Sequence, residues 1–234
     1  MDEVDETWEF DLSTLNYPQF LATFFDHPIA DDKYDAFWPG ICSYVATNPT
    51  LAASHLRDMC RDFAELPKIY AEEQLDQGLW MILGPVIRYP RFCFDPAIDI
   101  AMRIDAIESM YIPFRDVVAL HTGDIKDTFY WMWWDEILFS SFWEDDWRQG
   151  SGRAYDYAAL THDRKKMGEV ILRTLLRILA LDHRGCQWCA LHGLGHLHYP
   201  SGRAIVQGYL DAHGSECTDE DVKWIEGCRD GRVQ

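Results

Sequence analysis

The residues best suited to chemistry are concentrated at 183 to 198, His-Arg-Gly-Cys-Gln-Trp-Cys-Ala-Leu-His-Gly-Leu-Gly-His-Leu-His, where two cysteines and four histidines share sixteen positions. Thiolate and imidazole are good zinc donors, and His at i and i+4 of a helix is an established way to hold that ion. At 100° per residue Cys189, His192 and His196 fall within roughly 60° of one another, with Ala190, Leu194 and Leu197 on a separate apolar arc. These three are the candidate metal ligands, with Cys186 or His198 as a further donor and Asp135 as an acid. Other features weigh against a metal. The helix lacks the Glu of a zinc-protease helix, Cys186-Gln-Trp-Cys189 lacks the following His of a haem attachment, and no second closely spaced cysteine pair exists. Gly193 and Gly195 each cost about 1 kcal/mol relative to Ala within a helix, a penalty that a close helix crossing would justify. His192 and His196 would then bond carbonyls or carboxylates of a neighbouring helix. No cofactor is the leading expectation, and zinc is the alternative.

A second cluster is aromatic: Phe129-Tyr-Trp-Met-Trp-Trp134, Asp135-Glu136, then Phe139, Phe142, Trp143 and Trp147. A ligand cleft lined by Trp133, Trp134, Asp135 and Phe139, with burial raising the Asp135 pKa, is one reading. The competing and favoured one is a core helix packed on both sides, with Asp135 bonded to an indole N–H or a backbone amide. The run Glu144-Asp145-Asp146 has the donors for acid/base work or a hard cation, but adjacent loop carboxylates are usually a solvated surface. No Gly-rich turn precedes a Lys-Ser or Lys-Thr pair, which argues against nucleotide chemistry.

Helices must position these groups, because apolar residues recur at spacings of three and four and strand-type alternation is scarce. Asn48-Pro49-Thr50 predicts one helix entry and Pro67 the start of a second that runs to Gly84-Pro85, the two forming an antiparallel hairpin. Further helices are expected over 97 to 110, from Asp127 or Thr128 through Leu138, from Thr161 or Asp163 through Leu179, and over about 186–198, 201–212 and 218–228. Strings of short helical hairpins build a bundle or an α-solenoid.

Ala190-Leu-His-Gly-Leu-Gly-His-Leu197, together with Trp133-Trp134-Asp135 and Cys228-Arg229-Asp230-Gly231, resembles small bacterial proteins of the divergent HEAT-like α-solenoid class. The resemblance implies an all-α superhelix of stacked antiparallel hairpins, with an irregular helical bundle as the alternative. It carries no catalytic residue. The whole of 1–234 is expected to form one domain, with an acidic, aromatic segment over 1–46 packed on it.

Residues 1 to 150 hold 28 Asp and Glu against 10 Lys and Arg, whereas 151 to 234 hold 11 of each, so the net charge of −18 arises in the first 150. Such a field repels nucleic acid and anionic lipid and favours a basic protein partner. Seven cysteines, scattered and odd in number, with neither a secretory leader pattern nor a membrane-length apolar run, point to reduced thiols in the cytoplasm. The expected function is a non-enzymatic interaction module for a basic protein, an antagonist or immunity-type protein being one concrete form. The alternative is a metal-binding protein or metal-dependent enzyme using 186–198.

Overall fold

A computed structural model describes residues 9–29, 43–84, 87–121, 128–143 and 155–233. The carboxylate run 144–146 and Trp147 lie outside these residues. Among the described residues the only strands are β1 (Glu9–Asp11) and β2 (Ser43–Val45), paired in parallel with Phe10 opposite Tyr44. Everything else regular is helical, as the spacing of apolar residues predicts, and the class is all-α. No described helix is long and apolar enough to cross a membrane.

Local chemistry explains most of the helix starts. Asn16 opens α1 (Tyr17–Phe25) by accepting the Gln19 N–H at 3.0 Å while Gln19 accepts the Asn16 N–H at 2.9 Å. Phe20, Phe24 and Phe25 of this helix are wholly buried in the same apolar cluster as Trp133 and Leu191, so α1 contributes to the core. Asn48 caps α2 (Pro49–Arg61), whose initial proline sets φ where no helical N–H is needed. The second helix differs from expectation. Pro67 lies inside a 3₁₀ turn, Phe63–Lys68, and α3 (Glu72–Leu83) begins five residues later, where Gln74 accepts the Ala71 N–H. With that turn interposed, α2 packs chiefly on α4 (Ile100–Ser109), and α3 packs on α1 and on α6 (Phe129–Ile137).

After α5 (Tyr111–Asp116) and α6, the chain makes a wider π-type turn, Leu138–Phe142. Helix α7 (His162–Leu179) is opened by Thr161, whose hydroxyl accepts the Arg164 N–H at 3.2 Å. Helices α8 (Arg184–Leu197), α9 (Gly202–His213) and α10 (Asp219–Arg229) follow. Buried Arg103 of α4 binds both Asp163 oxygens of α7, at 2.7 and 2.8 Å, and so ties the middle of the chain to the last helices. Helix α8 is the hub: it touches α6, α7, α9 and α10, and ten of its fourteen residues are buried.

Candidate functional site

The side chains of α8 that carry chemistry meet α6. Two i,i+4 pairs face each other, Trp131 and Asp135 on α6 and His192 and His196 on α8. His192 Nδ1 lies 3.2 Å from the Trp131 carbonyl oxygen, His196 Nε2 lies 3.2 Å from His192 Nε2, and His196 Nε2 lies 3.0 Å from Asp135 Oδ1. A carbonyl only accepts, so His192 carries its proton on Nδ1 and leaves Nε2 with a lone pair. His196 then carries its proton on Nε2, shared between His192 Nε2 and the Asp135 carboxylate. The result is a thread of two neutral imidazoles between one backbone carbonyl and one carboxylate.

Its electrostatics follow from burial. The His192 side chain is shut off from solvent, and His196 and Asp135 keep only 15% and 19% exposure. Burial, with the neighbouring His196, brings the His192 pKa down to about 4 against an opposing pull from Asp135. Burial and His198 bring His196 down to about 4 as well. Burial raises Asp135, an effect that His192 opposes. Glu136 is pushed up to about 7 by burial and then by the adjacent Asp135 carboxylate.

Glu136 therefore works against folding at neutral pH. Its folded pKa lies above the unfolded value of 4.5, so the penalty is absent below that value and complete once pH exceeds about 7. Glu136→Gln should stabilise the protein by about 1 kcal/mol at pH 8, after allowance for solvent screening, and leave it unchanged at pH 4. Urea denaturation at the two pH values checks this, and an equal effect at both would refute it.

The other candidate ligands go elsewhere. Cys189 is fully buried and burial raises its thiol well above its ordinary range, a poor state for nucleophilic attack. Cys186 Sγ lies 3.6 Å from the Phe114 carbonyl oxygen, and burial pushes its thiol up to about 12. His198 ends α8 in the left-handed region with φ 49°, its ring stacked on Tyr155 at 4.8 Å. Among the described residues no three His, Cys, Asp or Glu side chains are grouped to hold a metal ion.

The glycines of α8 explain how the thread is assembled. A Cβ on Gly193 would sit 2.7 Å from Leu175 of α7 and 2.8 Å from the Trp134 Cβ of α6; one on Gly195 would sit 3.0 Å from Val233. At Gly193 the backbone of α8 thus approaches α6 and α7 at distances that only glycine permits, and at Gly195 it lies tightly against Val233, the close crossing expected of these residues.

The aromatic cluster divides by face. Trp133 and Trp134 are buried in the core, Trp133 edge-on to Phe63 and Phe114 at 6.0 and 5.6 Å, whereas Phe139 is 39% exposed at the surface. With Asp135 turned to His196, the four residues expected to line a cleft do not share one wall. The indole N–H groups of Trp133 and Trp134 have no acceptor among the described residues. A solvent-facing aromatic cavity forms instead from Trp131, Trp188 and Trp224, with Glu220 and Asp221. Its sequence signal is the i,i+4 stripe Trp188, His192, His196 along α8, which differs from the candidate ligand set only in having Trp188 in place of Cys189. Trp131 is stacked on His192 at 5.2 Å, so one of the cavity's rings packs on the thread.

Comparison with protein-family models, with curated proteins and with solved structures returned no match.

Proposed function

We propose that this chain is a non-enzymatic, HEAT-like interaction module that acts in the cytoplasm and presents an acidic surface to a basic protein partner. Antagonism of such a partner is its concrete form. The observation that carries this reading is the charge distribution: the whole net charge of −18 arises in residues 1 to 150. An acidic excess of this size accelerates capture of a positively charged protein and disfavours nucleic acid or anionic lipid. The chemistry of α8 supports a binding role. Its imidazoles bond to each other, to the Trp131 carbonyl and to Asp135, with the cysteine thiols buried and protonated.

The test is capture from lysate of the source cells at two ionic strengths. A protein of high isoelectric point should bind at about 50 mM salt and be released at about 500 mM, where screening confines electrostatic attraction to a few ångströms. Capture of no basic protein at low salt would overturn the reading.

A further inference from the structure

Three tryptophans from three helices meet in front of the histidine thread. Trp131 and Trp224 have ring centroids 5.1 Å apart, Trp188 and Trp224 5.5 Å, and Trp131 and Trp188 6.4 Å. They line a cavity of about 320 Å³ whose other lining residues are Glu220 and Asp221. Indole faces carry negative electrostatic potential and suit a weakly hydrated cation, most of all a guanidinium. The chain already uses this lining in that way. Arg184 lays its guanidinium 4.7 Å over the Trp188 ring and donates from Nη2 to Asp221 Oδ2 at 2.8 Å. Arg184 and Asp221 thereby neutralise each other, and Asp221 also accepts the Thr218 N–H at 3.1 Å. Glu220 is exposed, stands one helical turn before Trp224 and lines the same cavity as the two remaining rings.

We propose that this cavity receives an arginine side chain from a partner protein, its guanidinium held against the Trp131 and Trp224 rings and paired with Glu220. The proposal names the group recognised by the binding role argued above and rests on that role for the source of the arginine. The cavity's affinity for arginine is measurable without any partner.

The probe is N-acetyl-arginine amide, with the N-acetyl-citrulline amide as its neutral near-isostere, followed through the indole N–H resonances of the protein. Arginine should shift the Trp131, Trp188 and Trp224 resonances saturably in the millimolar range, and citrulline should bind at least about fivefold more weakly. Glu220→Gln, at an exposed first-turn position, should weaken arginine about threefold and reduce its salt dependence. Trp224→Leu should abolish the shifts, its folding being verified by circular dichroism. Equal binding of citrulline, absence of saturable shifts, or an unchanged affinity in Glu220→Gln would each overturn the proposal. Saturable arginine binding without capture of a basic protein from lysate would sink the partner reading and leave the cavity standing; capture without arginine binding would do the reverse.

Discussion

Gly193→Ala is expected to lower stability by about 1–2 kcal/mol and Gly193→Val by about 3–4 kcal/mol, both read from urea denaturation midpoints. Alanine at an open helical site improves on glycine by about 1 kcal/mol, so the sign at position 193 depends on what the added carbon meets. It would stand 2.7 Å from a Leu175 methyl, the end of a flexible side chain, and 2.8 Å from the Trp134 Cβ, which is fixed to the backbone of α6. Trp134 is 1% exposed and enclosed by the core, so α6 and α8 must separate to admit the methyl group. Valine adds a second branch to the same collision and a rotamer restriction within the helix. Gly208 of α9 is the internal control: nothing lies within 4 Å of a Cβ there, and Gly208→Ala should stabilise by about 0.5–1 kcal/mol. Equal responses at the two glycines would show that the crossing is loose. A loosened crossing would also displace His192 and Trp131, which links this packing detail to the aromatic cavity.

That crossing marks the boundary of what could be read before the fold was known. Helix α7 was legible almost to the residue, because Thr161 offers a cap and the apolar period from Met167 to Ile178 is uninterrupted. The all-α class was legible for the same reason. The start of α3 was not, since Pro67 is equally suited to a first helical turn and to the 3₁₀ turn in which it lies. At the site, the shared face of His192 and His196 followed from spacing alone. Asp135 could be named beside them as an acid, but its contact with them did not follow from spacing, because it lies about sixty residues upstream and only the packing of α6 on α8 brings it within 3.0 Å of His196. The aromatic cavity was hidden by a choice of face. Trp133 and Trp134 form the more conspicuous pair, but Trp131 stands 40° from Asp135 on the helix and 200° from Trp133. The face of α6 that meets α8 therefore carries Trp131 and Asp135, and Trp133 turns to Phe63 and Phe114. Nothing in the spacing of Trp131, Trp188 and Trp224 along the chain links them, because three separate helices supply them.

The buried imidazoles make stability fall as the solution is acidified from neutral pH. His192 and His196 have folded pKa values of about 4, below the unfolded value of 6.5, so across that interval the unfolded chain binds two protons that the folded chain refuses. Stability is accordingly complete above about pH 7 and declines as pH drops towards 4, at up to about 1.4 kcal/mol per pH unit for each histidine. His198, lowered by burial, acts in the same direction. Glu136 acts in the opposite one. Between 4.5 and about 7 it holds a proton in the folded state that the unfolded chain has released, which, once solvent screening is allowed for, offsets part of the histidine effect. The raised Asp135 adds to that offset at the acid end of the range. Between pH 6.5 and 5 the wild-type protein should thus lose about 1.5 kcal/mol per pH unit, and Glu136→Gln, stripped of its solvent-screened offset, about 2 kcal/mol per pH unit. Urea denaturation across this range measures both slopes. A flat wild-type profile would mean that His192 and His196 titrate as exposed imidazoles, which is incompatible with a neutral thread between Trp131 and Asp135. A steeper variant slope would show that folding raises the proton affinity of Glu136 while lowering that of the histidines inside one packed site.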